Sequence, residues 1–128
     1  MILLDTSVWI DFFRQDPSVA KEVKLLLRVK SVLSFEPVFS ELLVGARNET
    51  EEKVILSFWE VLPRVQFSSG SLLEAARYAG KRNLIQWGIG LMDAVIIKAV
   101  LDGNHLLWTG DKRILNFLEP GNLYKIQG

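Results

Sequence analysis

Four acidic residues, Asp5, Glu41, Asp93 and Asp111, stand where a fold can bring their carboxylates together. Asp5 follows the apolar run Ile2-Leu3-Leu4, and Asp111 comes two residues after a run ending at Thr109. Asp93 opens a helical pattern, and Glu41 lies in the first two turns of another. Two carboxylates about 4 Å apart repel by roughly 4 kcal/mol at an effective dielectric of about 20. A helix N-terminus offsets only roughly 0.3–1 kcal/mol for each. A pocket holding all four therefore needs a cation. Oxygen donors without His or Cys suit Mg²⁺ or Mn²⁺ rather than zinc. Such an ion can activate a water, orient a phosphodiester and stabilise a leaving oxygen, so the chemistry expected is phosphodiester hydrolysis. Singly, Asp5, Asp93 and Asp111 also suit helix caps, and Glu41 a solvated face. Their shared placement favours a site.

The elements that must position these acids can be read along the chain. Ile2–Leu4 is a buried strand, with a short helix over residues 6–14. Asp16-Pro17 is a start signal for a helix over 17–29, where Val19, Val23, Leu26 and Leu27 recur at helical spacing. Ser31–Phe35 is strand-like, and Glu36-Pro37 opens a helix that runs through Glu41 and stops near Gly45. A helix over 50–60 is broken by Pro63, and Arg64–Phe67 follows as a short strand. Ser71 and Glu74 have capping-box spacing at the head of a long helix over 71–87, with a turn over 87–90. Met92, Val95, Ile96, Ala99 and Val100 mark a helix over 92–102. Leu106–Thr109 is a strand, a further helix starts at Asp111, and Leu123–Ile126 is a last strand. Strands alternating with helices imply an α/β fold with a parallel sheet covered on both faces. In such sheets ligands gather at the carboxyl ends of the strands.

Bulk properties set outer limits. At 128 residues, with no repeat or linker, the chain reads as a single domain, 1–128. The absence of cysteine excludes disulfides and thiolate metal sites and fits a cytoplasmic protein. The apolar N-terminus carries Asp5 and Asp11 and no basic leader, so it reads as core rather than as a signal peptide. No run reaches the roughly 18 apolar residues of a membrane span. With the four candidate acids set aside as ligands, 15 basic residues face the remaining 11 acidic ones, a balance of +4. That permits an RNA substrate without pointing to one. Hydrophobic content of 49% and a mean hydropathy of +0.21 are high for a soluble domain, and favour an apolar face covered by a partner.

The motifs Leu-Asp-Thr-Ser-Val-Trp-Ile-Asp at 4–11, Ser-Glu-Leu-Leu-Val-Gly at 40–45, Met-Asp-Ala-Val-Ile at 92–96 and Leu-Trp-Thr-Gly-Asp at 107–111 resemble those of PIN-domain ribonucleases, in particular VapC-type toxins of toxin–antitoxin pairs. Order, spacing and length match across nearly the whole chain. The resemblance implies a three-layer α/β/α domain with a parallel sheet of four to five strands. It implies a metal-dependent endoribonuclease in which Asp5 and Asp93 are the main ligands, with Glu41 and Asp111 completing the site directly or through water. Ser7 and Thr109 would be the supporting hydroxyls. An RNA substrate, a cognate antitoxin protein whose C-terminal segment covers the apolar groove and the acids, and a homodimer are also implied. Hydrolysis would leave a 5′-phosphate. Gly110 departs from the family's pattern, where many relatives carry a basic or polar residue.

Other residues carry weaker expectations. His105 stands alone and reads as structural, and Asp11 as facing solvent or pairing locally. Lys112, Arg113, Lys81, Arg82 and Arg47 are the basic residues placed near the site, although solvated faces suit each of them. Trp9, Phe12 and Phe13 divide between core packing and a groove for a partner peptide. Two other functions compete with nuclease chemistry. An aspartyl-phosphate phosphotransferase with Asp5 as nucleophile would want a second acid at position 7, where Ser7 stands. A PIN-like module that binds RNA or protein without catalysis would have no need of all four acids.

Overall fold

The structure, a computed structural model, describes residues 1–126; the last two residues of the expected 1–128 domain lie outside the described residues. Its centre is strand β1 (Ile2–Leu4), flanked by β2 (Val32–Leu33) and β3 (Leu106–Trp108) in the order β2-β1-β3, all parallel. The register pairs Ile2 with Val32 and Leu106, and Leu4 with Trp108. Every β1 side chain is buried, as expected of a strand covered on both faces. The backbone N–H of Asp5 donates to the Trp108 carbonyl at 2.9 Å. That bond carries the β1–β3 pairing one residue beyond β1 and sets Asp5 at the carboxyl end of the sheet.

The helices are α1 (Thr6–Phe13), α2 (Pro17–Arg28), α3 (Glu36–Val44), α4 (Glu49–Val61), α5 (Ser71–Lys81), α6 (Leu91–Asp102) and α7 (Lys112–Phe117). α1 packs on α2 and α3, α3 on α4 and α6, and α5 on α6. Local chemistry explains several starts. Asp16 caps α2 through the Ser18 N–H at 3.0 Å, with Pro17 in the first turn. Asn48 caps α4 through the Glu51 N–H at 3.0 Å. α6 buries Ala94, Val95, Ile96, Ile97 and Val100, in keeping with its apolar spacing. α1 buries Val8 and Trp9, and the Trp9 ring meets Phe13, Phe39 and Phe58 at centroid distances of 5.7, 5.3 and 5.5 Å. Trp9, with 0% of its surface exposed, is therefore core, while Phe12 and Phe13 are half-buried at its edge.

Three expectations need correction. The sheet has three strands, not four to five. The segments read as strands over 64–67 and 123–126 contribute single parallel bridges, Ser34 with Arg64 and Leu107 with Leu123. Pro63 has no N–H to donate, and only its carbonyl joins, accepting from the Ser34 N–H at 2.8 Å. The other segment emerges from a 3₁₀ turn (Pro120–Asn122) and bonds once, Tyr124 N–H to the Leu107 carbonyl at 2.9 Å. The helix expected over 71–87 ends at Lys81. Asn83 takes a left-handed conformation, φ 57°, and a 3₁₀ turn (Leu84–Trp87) follows, which buries Leu84 completely. Asn visits that conformation more readily than most residues that carry a side chain. The capping box does not form either. Gly70 at φ 92° holds the cap position, and the Ser71 hydroxyl oxygen accepts from the Ser68 N–H at 3.0 Å.

Candidate active site

The four acids arrive from four elements. Asp5 ends β1 and caps α1, its Oδ1 accepting from the Thr6 N–H at 2.7 Å. Its Oδ2 accepts from the Thr109 hydroxyl at 2.7 Å, across 104 positions of sequence. Asp5 is buried, with 8% of its surface exposed, and so is Thr109. A buried carboxylate needs such donors, since burial without them is costly. Thr109 Oγ1 also accepts from the Asp111 N–H at 3.0 Å, so one hydroxyl ties the end of β3 to both Asp5 and Asp111.

Asp111 caps α7, its Oδ1 accepting from the Arg113 N–H at 2.9 Å. The Arg113 guanidinium also bonds it, Nη2 to Oδ2 at 2.8 Å. These hydrogen bonds foremost, and the guanidinium charge, hold Asp111 below the ordinary carboxylate range despite partial burial. Asp93, in the first turn of α6, behaves in the opposite way. Burial pushes it up first, then the charges of Asp5 and Asp111; Glu41 adds to the rise and Arg113 works against it. Glu41 is exposed on α3, and its Oε1 accepts from the Thr6 hydroxyl at 2.9 Å.

The four acids therefore feel one another at the carboxyl end of β1 and β3, and Arg113 supplies only part of the neutralising charge. The donor set, carboxylate oxygens alone, fits a hard divalent cation, which would favour the charge that burial and the neighbouring acids disfavour on Asp93. Among the described residues, no three His, Cys, Asp or Glu side chains stand close enough to grip one ion as placed. Nor do these residues place a hydrogen bond on Asp93 or on Glu41 Oε2.

Thr109 stands where the sequence placed it, against Asp5. Ser7 is exposed, and among the described residues its hydroxyl bonds none of the acids. Thr6 is the hydroxyl that reaches Glu41, and the sequence reading passed over it. The first turn of α1 carries two adjacent hydroxyls, and only the phase of the helix decides which faces α3. Of the basic residues, Arg113 reaches the cluster. Arg47 pairs with Glu51 at 2.7 Å, Arg82 lies over the Phe117 ring at 5.3 Å, and Lys81 and Lys112 are exposed. His105 is half-buried, and burial lowers its pKa. Asp11 is half-exposed, and a side chain added at Gly110 would meet nothing within 4 Å.

A groove of about 320 Å³ lies between α1, α3 and α4, and of the four acids Glu41 lines it. Ile10, Phe13, Leu42, Val54 and Ile55 give it an apolar floor, and Glu41 stands on its wall. No helix among the described residues is long and apolar enough to cross a membrane.

The chain belongs to the PIN domain family, whose model matches residues 2–118. Among named relatives, it is 35% identical over 115 residues to Ribonuclease VapC32 of Mycobacterium tuberculosis, covering 89% of this chain and 87% of that one. It therefore groups with the VapC-type members. In fold it is similar to the crystal structure of VapBC2 from Rickettsia felis bound to a DNA fragment from their promoter. The TM-score there is 0.69 at 20% identity, covering 96% of both chains. It is also similar to FitAcB from Neisseria gonorrhoeae, with a TM-score of 0.59 at 19% identity over 88% of both chains. The α/β/α architecture expected from the resemblance is thus the architecture of this chain, with a narrower sheet.

Proposed function

We propose that this protein is a divalent-metal-dependent endoribonuclease, the toxin of a toxin–antitoxin pair. The observation that carries this reading is the meeting at the carboxyl end of β1 and β3 of buried Asp5 and of Asp111, both tied to the Thr109 hydroxyl, and the upward pull of burial, Asp5, Asp111 and Glu41 on Asp93 agrees with it. Acids gathered at a strand end without enough positive charge call for a cation. Asp5 and Asp93 are the proposed main ligands of Mg²⁺ or Mn²⁺, with Glu41 and Asp111 beside them. Thr109 and Thr6 hold Asp5 and Glu41 in place. When bound, the ion supplies an activated water and charge stabilisation for the departing 3′-oxygen. The fixed carboxylates would hold that ion, which would also orient the scissile phosphodiester, and the product would carry a 5′-phosphate. The name of the VapC32 relative agrees with ribonuclease chemistry.

The groove beside Glu41 suits an antitoxin segment, because a peptide lying on its apolar floor would pass that carboxylate. The likeness in fold to VapBC2 from Rickettsia felis supports this reading. The same reading takes the protein as a cytoplasmic homodimer. The test is incubation of total RNA with the purified protein and Mg²⁺ or Mn²⁺, beside a chelator control and an Asp5→Asn variant. Loss of an outer partner alone costs roughly 10–100-fold at metal sites, so Asp5→Asn is expected to lose more than about 100-fold. Equal cleavage by both proteins would sink the metal-site assignment.

A further inference from the structure

Arg113 holds two parts of the acidic edge together. Its Nε and Nη2 donate to the two carboxylate oxygens of Asp111 at 3.2 and 2.8 Å. Its Nη1 donates to the Gly88 carbonyl at 2.9 Å. Gly88 lies outside α7, at the close of the 3₁₀ turn Leu84–Trp87 and shortly before α6, which carries Asp93. One guanidinium thus joins the segment leading to Asp93 with the cap that is Asp111.

The surroundings are shaped to this contact. Gly88 has φ 74°, and a Cβ there would stand 3.1 Å from Arg113 Cδ, so a residue without a side chain lets the arginine stem cross. Trp87 and Phe117 meet edge to face at 5.2 Å, which seats α7 on the same turn. An exposed ion pair adds little stability, but a forked guanidinium fixes direction as well as distance. Both Asp111 oxygens are engaged by this clamp, whereas among the described residues Asp93 and Glu41 Oε2 have no hydrogen-bond partner.

We infer that Arg113 is a positioning residue: by bridging Asp111 to the Gly88 carbonyl it sets the spacing of Asp93 and Asp111 at the acidic edge. Asp111 then serves mainly as the anchor of the clamp, while Asp93 and Glu41 Oε2 stay open to the cation beside Asp5, whose two oxygens are themselves held by Thr6 and Thr109. This inference rests on the nuclease reading. Lysine cannot reproduce it, since a single ammonium lacks the planar fork.

The test compares wild type with Arg113→Gln, Arg113→Lys, Gly88→Ala, Asp111→Asn and the Arg113→Gln/Asp111→Asn double variant. Three readouts are needed: the NMR signal of the Arg113 Nε–H without metal, Mn²⁺ binding by electron paramagnetic resonance, and kcat and KM on RNA separately. Arg113→Gln is expected to weaken Mn²⁺ binding and lower kcat by about 10–100-fold while KM stays nearly level. Arg113→Lys does not restore either, Gly88→Ala shows the same losses, and the double variant is no worse than Asp111→Asn. A raised KM with intact kcat and Mn²⁺ affinity would overturn the inference in favour of direct phosphate contact, and full rescue by lysine would overturn it in favour of bare charge. Wild type that neither binds Mn²⁺ nor cleaves RNA would sink the nuclease reading instead. The clamp itself is judged without metal by the NMR signal of the Arg113 Nε–H, which Asp111→Asn is expected to shift; an unchanged signal would overturn it.

Discussion

Helix α1 begins in charge and ends in aromatic packing, and its two ends obey different rules. At its start, Asp5 and Thr6 stand among carboxylates whose repulsion is only partly offset. Within the same helix, Trp9 is enclosed by rings, and among the described residues even its indole N–H has no partner. The aromatic end tolerates one unmet donor because many close contacts outweigh it. The acidic end carries repulsion that Arg113 only partly offsets, and under the proposed function a bound cation would relieve it. Stability and activity should therefore separate along a single short helix.

The largest effect expected tests that separation from the aromatic side. Trp9→Ala should cost about 3–5 kcal/mol of stability, measured by chemical unfolding, while cleavage per folded molecule stays near wild type. Equal loss of both would mean that the two ends act as one unit. From the acidic side, Thr109→Val removes the hydroxyl shared by Asp5 and Asp111. Metal affinity or cleavage should fall by roughly 10–100-fold, with a much smaller change in melting temperature than Trp9→Ala produces.

The contrast also explains what the sequence displayed and what it hid. The acids were legible because strand ends and helix starts are marked locally, by apolar runs, caps and glycines. The alternation of strands and helices displayed a parallel sheet covered on both faces, while the three-layer PIN architecture was implied only by the resemblance of the motifs at 4–11, 40–45, 92–96 and 107–111. Thr6 was missed for Ser7 because neighbouring residues in a first turn differ only in direction. The end of α5 was hidden because the amphipathic pattern runs on through Asn83, and only the burial of Leu84 reveals the turn. The two outer strands were overcounted because an apolar or β-branched segment looks the same whether it pairs at several residues or one. The Gly88–Arg113 contact joins segments distant in sequence and left no local mark.

A smaller effect sharpens the electrostatic half of the comparison. Asp93→Asn removes the carboxylate that burial and its neighbours disfavour. The metal-free variant should melt above metal-free wild type at neutral pH, and Mn²⁺ should no longer raise its melting temperature. A lower melting temperature would show that Asp93 is satisfied within the fold.

The smallest effect lies far from both ends of α1. Tyr124 donates to Glu22 at 2.9 Å, and burial foremost, then that bond, pushes its pKa up to about 12. A raised folded value means that the contribution is fully present below the ordinary tyrosine pKa of about 10. It is then lost as pH rises through about 12. Wild type should therefore destabilise with pH in that window more steeply than Tyr124→Phe. Parallel curves would remove Tyr124 from the alkaline response.

The single bridges at Arg64 and Leu123 have a consequence for life in a crowded solution. A three-stranded sheet has two margins, and each exposed margin invites pairing with another molecule's strand. Here Val65 and Tyr124 each donate one backbone N–H across a margin, to Ser34 and Leu107. They act as short selvedges that stop the weave from growing. Loosening either one should first show itself as concentration-dependent clumping, before any loss of the fold.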